Sequence, residues 1–252
     1  MISKNQLKLV RSLELKKNRR REGLFVAEGP KVVGDLLKAG FQPRIIFSTA
    51  QREDAQFVTE EELRRLSFLQ HPQEVLAVLE MPQQPNEVVA KDLAPTPAAP
   101  YTTGLCLALD SVQDPGNMGT IIRIADWFGI QAIYCSQDSA DVYNPKVVQA
   151  TMGSLAHVPI YYCDLVTLLS QAQCPVYGTL LDGDDIYSQA LSPHGIIVMG
   201  NEGNGISAAV RQLVTHRLLI PNFNTKSETA ESLNVAIATA VVCSEFRRQQ
   251  TF

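Results

Sequence analysis

Apolar residues recur along this chain in two rhythms, and their alternation predicts its elements. From Asn5 to Arg21 they fall at Leu7, Val10 and Leu13 with Lys and Arg opposite, the 3.6-residue period of an amphipathic helix. A strand follows at 24–27, then a helix through Val32, Leu36 and Leu37 that Gly40 stops. A strand at 44–48, a short helix at 60–66 and a strand at 75–79 complete a small α/β domain. Between Met81 and Thr103 the periodicity lapses into prolines and alanines, predicting an extended, semi-rigid connection and a domain boundary near residue 100.

Beyond the boundary, six short apolar runs alternate with helical patterns: 105–109, 131–135, 157–162, 176–181, 196–200 and 217–220. Runs of this kind are buried on both faces, which predicts an α/β domain over 101–252 with a mainly parallel sheet. Helix signals stand between them: Asn144 as cap before Pro145, Ser207 before Ala208, and Gly129 as a left-handed stop after the helix that follows Gly119. A last helix opens at Glu231-Ser232-Leu233-Asn234, with Leu233, Ala236, Ile237, Ala240 and Val241 at helical spacing. Two runs, 196–199 and 218–221, deliver glycine-rich and polar loops, and ligands of open α/β sheets sit at the carboxyl ends of strands.

Composition narrows the function. The 252 residues include no apolar stretch near the roughly 20 residues of a membrane helix, and the start lacks a signal-peptide core, so a cytoplasmic protein is expected. Five cysteines without a CxxC pair read as reduced core thiols, and the four scattered histidines give no metal motif. The net charge of −4 hides an asymmetry: residues 1–31 hold nine Lys and Arg against three Asp and Glu, so the amino end is basic and the remainder acidic. The run Lys16, Lys17, Arg19, Arg20 and Arg21 is either a solvated helix face or a contact for RNA phosphates.

Polar positions at the predicted strand ends carry the candidate chemistry. Asp114-Pro115-Gly116-Asn117-Met118-Gly119 leads into a helix bearing Arg123 among isoleucines. Such an arginine either reaches the surface along its aliphatic stem or is held for a purpose, and Asn117 is either a helix cap or a functional amide. Gly200, Gly203 and Gly205 have the wrong order for a dinucleotide fingerprint, and no phosphate-loop motif occurs, so neither nicotinamide nor a nucleoside triphosphate is supported. Asp182-Gly183-Asp184-Asp185 lacks the pattern of a calcium loop and reads as a surface turn.

Taken in order, the first-loop motif with Arg123, Met199-Gly200-Asn201-Glu202-Gly203-Asn204-Gly205, and Ile220-Pro221 followed by Glu231-Ser232-Leu233-Asn234-Val235 resemble the three signatures of the SpoU (TrmH-type) RNA ribose methyltransferases, of the SPOUT superfamily. The resemblance spans residues 105–245, and residues 1–100 are more loosely similar to the substrate-binding domain that many members carry in front. It implies transfer of a methyl group from S-adenosylmethionine to a ribose 2′-hydroxyl of tRNA or rRNA, a homodimer, and a trefoil knot at the cofactor site. Carried onto this sequence, it assigns Asn117, Arg123, Glu202, Ser232 and Asn234 to catalysis and Gly200, Asn201, Gly203, Ile220 and Leu233 to the cofactor. The third signature departs from the family by roughly four extra residues between Pro221 and Ser232 and a missing glycine, a lengthening that costs little stability. The alternatives are a base methyltransferase of the same superfamily and an RNA-binding protein that kept the fold without the activity.

Overall fold

The computed structural model describes residues 1–82, 100–224 and 231–251, so most of the predicted proline-rich connection and residues 225–230 lie outside the described residues. Two compact units are present: the described residues of Met1–Gln84 with Asp141–His157, and those of Pro85–Ala140 with Val158–Phe252.

The first unit opens with two helices where the apolar rhythm predicts one: α1 (Lys4–Ser12), started by a capping box between Ser3 and Gln6, and α2 (Lys16–Glu22), closed by Gly23 at φ 65°. The break is stabilised by side chains that take the carbonyls left without a helical partner. Asn18 Nδ2 donates to Ser12 O at 2.8 Å, and Arg19 Nη1 donates to Leu13 O and Glu14 O at 2.8 and 2.7 Å. There follow β1 (Leu24–Glu28), α3 (Pro30–Lys38), β2 (Pro43–Ser48), β3 (Gln56–Phe57), α4 (Glu60–Leu66) and β4 (Val75–Glu80). The sheet order is β1-β4-β2-β3, antiparallel except for β2 with β3. The two-residue β3 carries too short a pattern to be legible in the sequence.

In the second unit, α5 (Pro100–Thr103) replaces the end of the predicted linker and buries Tyr101 in the core. Then come β5 (Leu105–Leu109), α6 (Pro115–Trp127) and β6 (Ile133–Cys135). Helix α7 (Pro145–Thr151), capped by Asn144 as its sequence predicts, packs instead within the first unit. The second unit resumes with β7 (Ile160–Tyr162), α8 (Leu165–Gln171), β8 (Val176–Asp185), β9 (Gly195–Met199), α9 (Ala208–Arg211), β10 (His216–Leu219) and α10 (Val235–Thr251). Its six strands lie in the order β10-β8-β9-β5-β6-β7, and every pairing is parallel.

Asp182–Asp185 is not a surface turn: it extends β8 alongside β10, whose register shifts between Arg217 and Leu218. Gly183 is required there, because a Cβ would stand 2.6 Å from the Leu218 backbone carbon, and Asp182 pairs with the guanidinium groups of Arg211 and Arg217. The last helix starts at Val235 rather than at Glu231; along α10 the buried face runs through Val235, Thr239, Val242 and Phe246, while Ile237 is 54% exposed and Leu233, just before the helix, is 50% exposed. The apolar period on this helix therefore marks two faces, of which the core takes one.

Candidate active site

The sheet order creates one place where successive connections diverge. From β5 the chain moves outward to β6 and β7, whereas β9 lies on the other side of β5 with β8 and β10 beyond it. At such a switch point the loops leave the strand ends in opposite directions and open a crevice. The loops in question are 110–114 after β5 and 200–207 after β9, and the last strand, β10, contributes the segment that leads to α10.

Each loop is shaped by its own polar groups. Asp114 caps α6 by accepting from Asn117 N at 2.8 Å, so the cap is Asp114 and the Asn117 amide is left free for other partners. Asp110, nearly buried, accepts from Ser207 N at 2.7 Å and ties the end of β5 to the start of α9. The Gly200 position approaches backbone so closely that a Cβ would lie 2.3 Å from Gly205 C and Ile206 N. Asn201 and Gly205 close the turn with reciprocal backbone bonds of 2.9 Å, and Asn201 Oδ1 accepts from the N–H groups of Gly203 and Asn204 at 2.9 and 3.0 Å. Asn234 caps α10, its Oδ1 accepting from Ala236 N at 2.9 Å and Ile237 N at 3.3 Å.

These three loops meet through side chains. Asn234 Nδ2 donates to Asn117 Oδ1 at 2.9 Å, and Asn117 Nδ2 donates to Glu202 Oε1 at 2.9 Å. Asn201 Nδ2 donates to Ser111 O at 2.8 Å and stands 3.5 Å from Glu202 Oε2. The chain fixes the amide orientation of both asparagines and leaves Glu202 Oε2 as the less engaged oxygen of an exposed carboxylate.

Not every residue singled out in the sequence joins this group. Arg123 lies under two turns further along α6, about 9 Å in axial rise, exposed and without a hydrogen bond or ion pair among the described residues. Ser232 and Leu233 are exposed beside Asn234, and Ile220 is half-buried at the end of β10. Of the basic run, Lys17, Arg20 and Arg21 are exposed and Lys16 is half-buried. Arg19 is a correction: it is 1% exposed and ion-paired with Asp141 in the same unit, so its guanidinium is consumed by the fold and is not presented to RNA. Asp110, Ser111 and Asp114 carry no individual role in the sequence reading, although Asp114 opens its first motif. An Asp immediately before Pro at a helix start is the readable signal for Asp114, whereas Asp110 and Ser111 act only through partners distant in sequence.

The five cysteines are free; four are buried, and burial pushes the Cys106, Cys163 and Cys243 thiols up to about 12, far from a reactive thiolate. Among the described residues no group of three or more His, Cys, Asp or Glu side chains is placed to hold a metal ion, and no helix is long and apolar enough to cross a membrane.

Comparison with known proteins gives this geometry its family. The SpoU rRNA Methylase family matches residues 104–244, and an MRM3-like substrate binding domain matches residues 4–77. The chain is 29% identical to the 23S rRNA (guanosine(2553)-2′-O)-methyltransferase RlmP of Bacillus subtilis, over 97% of both proteins. Among solved structures, a TrmH-family protein from Porphyromonas gingivalis is 42% identical with a TM-score of 0.83, covering 99% of each chain. An rRNA methyltransferase from Sinorhizobium meliloti with AdoMet bound is 30% identical with a TM-score of 0.82, covering 98% of this chain and 96% of that one. The switch-point crevice, its three joined loops and these matches together establish that the chain belongs to the SpoU rRNA methylase family, as an S-adenosylmethionine-dependent RNA ribose 2′-O-methyltransferase.

Proposed function

We propose that this enzyme methylates a ribose 2′-hydroxyl of 23S rRNA, with the joined residues Asn117, Glu202 and Asn234 at its catalytic centre. The hydrogen-bond chain from Asn234 through Asn117 to Glu202 carries the reading, because it links all three signature loops around one carboxylate. The full-length likeness to the Bacillus enzyme supports the choice of 23S rRNA.

The residues present fit S-adenosylmethionine. Close backbone packing at Gly200 and the exposed Leu233 offer backbone groups and an apolar cover for an adenosine, with Asn201, Gly203 and Ile220 alongside. When bound, the cofactor supplies an electrophilic methyl group on a sulfonium. The protein's part is alignment and removal of the hydroxyl proton. Glu202 Oε2 accepts that proton, while Asn117 anchors Oε1. Arg123 holds the substrate phosphate and stabilises the developing alkoxide. Its guanidinium stays protonated and cannot serve as the base. Ser232 borders the hydroxyl-binding side.

The exposed Lys17, Arg20 and Arg21, with the half-buried Lys16 beside them, contact RNA phosphates. Exposed apolar residues on α6 and α10, Trp127 at 85% and Ile237 at 54%, support a homodimer that covers them. The parallel order with β10 at one edge and α10 returning to pack on α6 supports a trefoil knot in the second unit. Cytoplasmic residence accords with an rRNA substrate. The reading is tested by incubating the protein with labelled S-adenosylmethionine and 23S rRNA and identifying the methylated nucleoside. A 2′-O-methylnucleoside is expected; a methylated base would overturn the assignment.

A further inference from the structure

Ser111, just after β5, has φ of 61°, a left-handed backbone that L side chains avoid. Its neighbours hold it there. Ser111 N donates to Ser136 Oγ at 2.9 Å, and Ser111 Oγ donates to Asp138 Oδ2 at 2.6 Å. Asp138 Oδ1 in turn accepts from Ser136 Oγ at 2.6 Å, so one carboxylate spans both hydroxyls and fixes the pair as a unit. These two hydroxyls hold the Asp138 carboxyl below its ordinary range, so it stays an anion and an acceptor at neutral pH.

The consequence appears on the far side of Ser111. In this conformation its carbonyl accepts from Asn201 Nδ2 at 2.8 Å, which orients the Asn201 amide. The oriented amide then presents Oδ1 to the N–H groups of Gly203 and Asn204 and sets the turn that carries Glu202. We propose that Asp138 is a positioning residue for Glu202, acting through the left-handed backbone of Ser111 and the Asn201 amide. The inference rests on the reading of Glu202 as part of the catalytic centre. Asp138 touches none of the three joined residues, so its effect passes entirely through backbone geometry. A group displaced by about 1 Å from its productive position costs up to a hundredfold in rate, so such a support is consequential.

Glycine adopts φ near +60° without an anchor, and this separates positioning from bulk stability. The experiment compares wild type, D138A, S111A, S111G and S111G/D138A by amide hydrogen exchange at Gly203 and Asn204 in the cofactor-free protein, and by kcat and KM for RNA. D138A and S111A are expected to speed exchange at both amides about tenfold and lower kcat about tenfold with KM little changed. In the S111G background, D138A is expected to add less than twofold to either. Unaltered exchange at these amides in D138A and S111A, or an undiminished effect of D138A on the S111G background, would overturn the proposal. E202Q serves as the independent control. If it retains full methylation while the exchange pattern behaves as expected, the catalytic reading of Glu202 fails and the loop support stands.

Discussion

Asn234 donates to Asn117 across 117 residues of sequence, and the same Asn234 side chain caps α10 with its other atom. One amide therefore does two separable jobs: its oxygen starts a helix, and its nitrogen fixes the amide that grips Glu202. Replacement by Asp keeps the cap, since a carboxylate accepts from the same N–H groups, and removes the donor. N234D should melt within a few degrees of wild type and lose at least tenfold in methylation rate. N234A should lose activity similarly and also about 1 kcal/mol of stability. Equal activity of N234D and wild type would contradict the role given to the Asn234–Asn117 bond.

Arg123 invites the opposite expectation for stability. It is exposed and has no ion pair among the described residues, so folding does not depend on its charge. R123K should leave the melting temperature unchanged and preserve cofactor affinity by calorimetry. The rate of methyl transfer should fall about a hundredfold, because an ammonium cannot reproduce the planar fork on a phosphate. Full activity would remove Arg123 from the centre.

Arg19 behaves as a fold residue. It is buried, paired with Asp141 and bonded to two carbonyls at the α1–α2 break. Cutting one partner of a buried pair leaves an uncompensated charge, so R19A and D141A should each cost about 3–5 kcal/mol in urea unfolding. K17A and R21A, exposed on the helix surface, should instead leave stability nearly alone and each reduce the salt slope of RNA binding by about one. R19A altering only RNA affinity would return Arg19 to the RNA-binding surface.

Glu28 gives a pH signature in the first unit. Its carboxyl is buried against Ser67 and Phe68 N, and burial pushes it above its ordinary 4.5, with Ser67, Phe68 and Arg11 only partly offsetting. The folded value exceeds the unfolded one, so the stability it contributes is full below the unfolded value and is lost as pH rises through the folded one. E28Q should therefore gain relative to wild type as pH rises above 4.5, measured by melting temperature across the series. A wild-type advantage that grows with pH would contradict this.

Trp127 is the only tryptophan in the chain and is 85% exposed. If α6 and α10 form the dimer surface, its emission should shift to the red on dilution, and W127E should sediment as a monomer. An emission unchanged by dilution and an unaltered mass would place the partner surface elsewhere.

The sequence made much of this legible and for a clear reason. Apolar runs such as 105–109 and 196–199, short and bounded by turn residues, announce strands covered on both faces, and the structure pairs them directly, Leu109 with Met199. The α1–α2 break was not legible, because Leu7, Val10 and Leu13 keep helical spacing while the interruption depends on Arg19 and Asn18 reaching back to free carbonyls. Ile237 on α10, and Leu233 just before it, are exposed for a related reason: spacing reveals apolar faces without saying which one the core takes or where the helix starts. At the site, residue types and order pointed to Asn117, Glu202 and Asn234. Their direct contact, and the dependence of Asn201 on Ser111, are long-range geometry that no local pattern encodes.

The most direct test is single-turnover transfer of labelled methyl from S-adenosylmethionine to 23S rRNA, comparing wild type with N234D and E202Q at matched cofactor saturation. Label recovered in a 2′-O-methylnucleoside by wild type, and at least tenfold less by either variant, is the predicted result. Undiminished 2′-O-methylation by both variants would show that the joined asparagines and glutamate are not where the chemistry occurs.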